Sequence, residues 1–157
     1  MNDENQVRPP GLFANDADLS EPIPLDDLEQ LVRFVQRHEG VLLRYSQGPK
    51  ADADSGPSRD YEAGVDLPGL SATTVEPEPW WPRPAEDWIA RRVCKYAELG
   101  EQEGRYPWLL TGDVAAHGPD HEPVVVHVRP LARITERALD EAKALYHQRF
   151  DVGRDST

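Results

Sequence analysis

A single cysteine, Cys94, is all the chain carries, so no disulfide can form within it. It falls in an expected helix near Ala90 and Ala97 and reads as a small buried side chain rather than a nucleophile. Basic residues are scarce: 17 Lys and Arg stand against 29 Asp and Glu, a net charge of −12 at pH 7. Such a field repels phosphate backbones, so no general nucleic-acid-binding role is expected. It also disfavours anionic membrane surfaces, and no apolar run approaches the length of a membrane span. Met1-Asn2-Asp3-Glu4-Asn5 offers no basic region followed by an apolar one. No secretory signal is therefore expected, and the cytoplasm is the default location. Gly48-Pro49 lacks the Gly-rich, Lys-containing spacing of a phosphate-binding loop, and no Gly-x-Ser-x-Gly elbow of a serine hydrolase occurs. Apolar residues are only 38% of the chain, which implies a modest core, long loops and frayed ends. The acid excess itself has two readings: it keeps the protein soluble, or it forms a docking face for a basic partner.

What is present points to an α+β fold. Residues 1–22 lack periodicity and read as a flexible arm, with Leu12 and Phe13 available to dock locally. Residues 23–150 read as a single domain, and 151–157 as a C-terminal tail. A first helix is expected from about Leu25 to His38, because Leu25, Leu28, Leu31, Val32 and Val35 recur at helical spacing. Val41 to Ser46 reads as a strand. A helix is expected from Pro84 or Ala85 to Leu99, with Glu86 and Asp87 at its positive end. Pro107–Ala115 and Pro123–Arg129 read as a hairpin around Gly118-Pro119-Asp120. A last helix spans Glu136 to Gln148, capped by Thr135. The expected architecture is a small, mainly antiparallel sheet of about four strands packed with three helices.

Residues 47–84 hold seven of the fifteen prolines and the adjacent Trp80 and Trp81. Long irregular segments inside a domain are usually functional or disordered. Disordered segments are poor in aromatics, yet this one carries Tyr61, Trp80 and Trp81, so it reads as an ordered loop that builds a surface. Within it, Gly69 to Val75 is the best strand candidate. The candidate binding residues are Tyr45, Ser58, Arg59, Asp60, Tyr61, Trp80 and Trp81. One tryptophan is expected to pack inward and the other to stay partly exposed, offering an anchor for a protein partner. Arg59 and Asp60 have a plainer reading as a pair that pins the loop. His117, His121 and Asp120 or Glu122 sit on a turn that no helix aligns, so no metal site is expected.

Three separated segments resemble the active site of ADP-ribosyltransferases: Arg44 at the end of the first strand, Ser71 opening Ser71-Ala72-Thr73-Thr74, and Glu122 at the start of the last strand. The resemblance implies that Arg44 holds the nicotinamide half of NAD, with NAD as a substrate rather than a resident cofactor. Ser71 would then shape the nicotinamide pocket, and Glu122 would hydrogen-bond the ribose as positive charge develops there. Pro123 after Glu122 departs from that pattern. The plainer reading is an Arg44 ion pair, a Ser71 turn bond and a solvated Glu122. The chain as a whole resembles a family of small uncharacterised actinobacterial proteins, a domain of unknown function. The resemblance rests on Arg44-Tyr45-Ser46, Gly48-Pro49, Ser58-Arg59-Asp60-Tyr61, Leu67-Pro68-Gly69-Leu70-Ser71, Glu78-Pro79-Trp80-Trp81 and the run from Phe150 to Thr157. It implies one cytosolic domain and no catalytic assignment. The expected function is a non-catalytic binding or regulatory module using the Pro/Trp-rich loop, with an NAD-dependent ADP-ribosyltransferase-like enzyme as the alternative.

Overall fold

The computed structural model describes residues 12–14, 22–60, 63–95, 104–119 and 121–150, the side chain of residue 60 excepted. In chain order the elements are β1 (Ile23–Leu25), α1 (Leu28–Arg37), β2 (Leu42–Ser46), α2 (Pro49–Ser55), β3 (Arg59–Asp60), β4 (Val65–Asp66), β5 (Leu70–Ser71), β6 (Thr73–Thr74), α3 (Ala85–Lys95), β7 (Tyr106–His117), β8 (Pro123–Ile134) and α4 (Glu136–Phe150). The fold is α+β, with four helices rather than three among the described residues. Its main sheet is mixed and six-stranded, where a mainly antiparallel sheet of about four was expected. The expected tail, 151–157, and the end of the α3 pattern, 96–99, lie outside the described residues.

Local chemistry explains the boundaries. Asp27 caps α1 by accepting from the Gln30 amide at 2.8 Å, so the helix starts later than its apolar pattern. Leu25 belongs instead to β1, whose residues pair in parallel with Ala132–Ile134. The Leu25 carbonyl accepts from both the amide and the hydroxyl of Thr135, which ties β1 to the start of α4. Thr135 also caps α4 by accepting from the Ala138 amide at 3.2 Å. The expected hairpin is present and longer than its pattern: β7 and β8 are each 12 residues. Register shifts at Leu109/Leu110, Thr111/Asp113 and Val114/Ala116 bend it.

The segment from Leu70 to Thr74 curls the sheet on itself. Its first half, β5, pairs with Val124–Val125 of β8. Its second half, β6, pairs with Leu42–Leu43 of β2 on the far side of β7. Gly69 admits this closure, because a Cβ there would collide with the Val125 carbonyl. Two cores follow from strand alternation. Inside the curl pack Leu42, Leu70, Ala72, Trp108, Leu110 and Val128, joined by Leu12 and Phe13. On the outer face Leu43, Tyr45, Leu109 and Ile134 meet Leu31 and Val35 of α1, Ile89 and Val93 of α3 and Ala138 and Ala142 of α4.

The outer core sets an alkaline limit on stability. Tyr45 is buried and donates its hydroxyl to the Val93 carbonyl at 2.9 Å, and burial pushes its pKa up. Burial also pushes the Cys94 thiol up to about 11, with Lys143 opposing weakly. Both acids hold their protons more tightly in the folded state. The Cys94 contribution is therefore complete below the ordinary thiol value of 9.0 and is lost as pH rises through about 11, while that of Tyr45 is complete below the ordinary phenol value of 10.0 and is lost only at higher pH still. The urea midpoint is expected to fall across that window, and less steeply in Cys94→Ala. Alkylation of Cys94 by iodoacetamide should be slow at neutral pH, because little thiolate is present. Rapid alkylation of the folded protein would contradict this burial.

Candidate functional site

Alternation along β2 points Leu43 and Tyr45 to the helices and sends Arg44 and Ser46 to the inner side of the curl. Gly48, at φ +110°, then reverses the chain against the Tyr106 hydroxyl. Pro49 opens α2 at a position where its missing N–H costs nothing. This short helix folds back along β2 and delivers Asp52, a buried carboxylate, to Arg44. Arg44 Nε donates to Asp52 Oδ2 at 2.8 Å and Nη2 to Oδ1 at 3.3 Å. Arg44 Nη1 donates to the Ser71 carbonyl at 2.7 Å and to Ser58 Oγ at 3.4 Å. Ser58 Oγ also accepts from the Ser71 amide at 2.9 Å.

Behind this pair, Ser46 Oγ donates to Asp52 Oδ2 at 2.8 Å. It accepts from the Gly48 amide at 3.1 Å and from Trp108 Nε1 at 2.9 Å. One hydroxyl thus uses its donor and both acceptor positions. The chain from Trp108 through Ser46 and Asp52 to Arg44 ties β7, β2, α2 and β5 into one polar unit. In front of it opens a cleft of about 380 Å³, bordered by Arg44, Asp52, Ser58, Arg59, Asp66 and Arg105. Arg59 Nη1 donates to Asp66 Oδ1 at 3.0 Å and Nη2 to the Gly64 carbonyl at 2.9 Å, bracing the β3–β4 ribbon.

A second feature lies on the other face of the sheet. Trp81 and Trp88 pack on the outer core, while Trp80 is 66% exposed. The rings meet edge to face, Trp80 with Trp88 at 5.7 Å and Trp81 with Trp88 at 4.9 Å between centroids. Trp81 Nε1 donates to the Pro84 carbonyl at 3.1 Å, and the Trp81 amide to the Glu78 carbonyl at 3.0 Å, closing a turn that presents Trp80.

Residues 18–156 match the model of a family of unknown function, DUF6098. The chain belongs to this family. No curated protein and no solved structure matches it. In this DUF6098 chain the surface expected of residues 47–84, with Arg44 and Tyr45 just before them, divides in two. Arg44, Ser58 and Arg59 gather at the cleft, and Ser71 joins them through its main chain. Glu122 does not border the cleft: its carbonyl accepts from the Gly118 amide at 2.8 Å in the β7–β8 turn. Tyr45 faces the helices, away from the cleft. Asp60 pairs through its backbone with Val65, while its side chain and all of Tyr61 lie outside the described residues, as does Asp120. Trp80 and Trp81 lie on the opposite face.

Sequence reasoning missed Asp52, Ser46, Trp108 and Arg105. The one local signal was Gly48-Pro49, a turn followed by a helix start. The stretch Lys50-Ala51-Asp52-Ala53-Asp54-Ser55 carries no apolar period to extend that signal. Among the described residues no three His, Cys, Asp or Glu side chains gather as metal ligands. No helix among them is long and apolar enough to cross a membrane.

Proposed function

We propose that this chain is a non-catalytic binding module, working in the cytoplasm, that docks a protein partner through Trp80. The observation that carries the reading is that Trp80 is two-thirds exposed yet braced by the edges of two other indoles. A large ring already held in place gives contact area at little further entropic cost. Such rings are the usual energetic centres of protein interfaces. The other large exposed apolar side chains among the described residues, Ile23, Val65 and Val114, are aliphatic. With Glu78 in the same turn and a net charge of −12, the complementary partner carries an apolar side chain among basic residues.

The test is capture of a defined partner from source-cell extract, followed by affinity measurement with the purified pair. Trp80→Ala is expected to weaken the complex by about 30-fold, and added salt to slow its formation. A partner held equally well by Trp80→Ala overturns the reading. An NAD-cleaving role has less support. Glu122, the carboxylate that role needs beside Arg44, does not border the cleft, and no aromatic ring among the described residues lines it to hold a nicotinamide or an adenine. NAD is expected to leave the unfolding midpoint unchanged, whereas a substrate of the folded state would raise it.

A further inference from the structure

We propose that the cleft between β2, α2 and the β3–β4 ribbon binds a small polar anion through a phosphate or carboxylate group. The charge distribution leads there first. The chain has 29 acidic and 17 basic residues, yet three guanidiniums, Arg44, Arg59 and Arg105, line one cleft against only two carboxylates, Asp52 and Asp66. The wall is locally cationic on a strongly acidic molecule, so the site concentrates anions that the rest of the surface repels.

The hydrogen-bond partners of the lining residues point the same way. Asp52 is consumed by Arg44 and Ser46. Arg59 gives one N–H of Nη1 to Asp66 and one of Nη2 to the Gly64 carbonyl, which leaves its Nε–H and a second N–H on each Nη, and its side chain is 45% exposed. Arg105 is exposed and has no ion pair among the described residues. A structural ion pair would need Arg44 and Asp52 alone. Two further arginines on the same cleft leave fork-shaped donors free to grip planar or tetrahedral oxyanions. Arg44 is pre-oriented for this, because Asp52, Ser58 and the Ser71 carbonyl fix its plane and leave a donor of Nη2 unspent.

The lining also restricts the ligand. The volume of about 380 Å³ is near the small end of ligand pockets. Ser55 and Ser58 add hydroxyls, and no aromatic ring lines the cleft among the described residues. A nucleobase would find no stacking surface, so the ligand is compact and hydrophilic. The site lies across the sheet from Trp80 and stands independently of the docking reading.

The test follows the arginine Nε–H resonances of the ¹⁵N-labelled full chain by NMR. Inorganic phosphate and acetate are titrated separately, each at constant ionic strength with chloride as the balancing ion. Saturable shifts of Arg44, Arg59 and Arg105 with a common midpoint are expected for at least one anion. Phosphate alone identifies a phosphate ester as the ligand class, and acetate alone a carboxylate. Arg105→Ala and Arg59→Ala remove exposed side chains outside the buried network, and each is expected to weaken binding about tenfold or more. Arg33→Ala, on α1 beside Glu29, should leave the titration unchanged. Linear shifts with both anions, or saturation that survives Arg59→Ala and Arg105→Ala, would overturn the proposal.

Discussion

Asp52→Ala is expected to cost the fold about 3–5 kcal/mol, the loss seen when one partner of a buried ion pair is removed. The Asp52 side chain is 9% exposed and that of Arg44 is 17% exposed. Without the carboxylate, the guanidinium stays largely out of water with no counter-ion, and Ser46 Oγ loses its acceptor. Rearrangement is limited because Trp108 and Gly48 hold Ser46 in place. Domains are stable by only about 5–15 kcal/mol, so the variant should approach the limit of folding. Urea unfolding of purified protein measures the loss. The double change Arg44→Met with Asp52→Leu removes both charges together and should recover much of it. A single-variant cost below about 1 kcal/mol would show that the pair behaves as a hydrated surface bridge.

The second large effect is expected at Arg149, and its interest lies in an asymmetry. The Asp87 carboxylate is fully buried in the first turn of α3. Arg149, at the end of α4, donates from Nη1 to both of its oxygens at 3.1 and 3.3 Å. Arg83 Nε approaches at 3.3 Å and also lies over the Phe150 ring at 4.3 Å. Arg149→Ala leaves the buried carboxylate with one cation, for an expected loss of about 2–3 kcal/mol, below the full-pair range because Arg83 remains. Asp87→Ala should be milder, because the side chains of Arg83 and Arg149 are 39% and 36% exposed and regain water. Comparison of the two urea midpoints checks the order. If Asp87→Ala proves the worse, the carboxylate acts mainly on the positive end of α3 rather than as the bolt between α3 and α4.

Both networks join residues far apart in sequence, and they mark where sequence reading stops. The elements with local signals were legible. Leu28, Leu31, Val32 and Val35 announce α1, Thr135 announces the start of α4, and Gly118-Pro119 announces the β7–β8 turn. The Gly69–Val75 segment read as one strand, and it occupies that place as β5 and β6. Its division between two partners had no sequence signal, because register is set by what lies alongside. That one of the two tryptophans packs inward and the other stays exposed was expected from the size of the ring, but which does which had no local signal: Trp81 packs on the core and Trp80 is exposed. The helix α2 was missed because seven residues with no apolar stripe give no period to read.

The plainer reading of Arg44, as half of an ion pair, holds, but its partner was invisible. Nothing local links Arg44 to a carboxylate in the next element. The pair forms only because Gly48 turns the chain and α2 folds back along β2. Taken alone, the sequence determined the α+β class, the places of α1, α3, α4, β2 and the β7–β8 hairpin, and the acidic character, since periodicity, caps and charge are properties of neighbours in the chain. The tertiary structure alone decided that residues 44–84 serve two opposite faces. The alternation of β2 sends Arg44 to one side of the sheet and Tyr45 to the other, and the same sheet then separates the arginine cleft from the tryptophan platform.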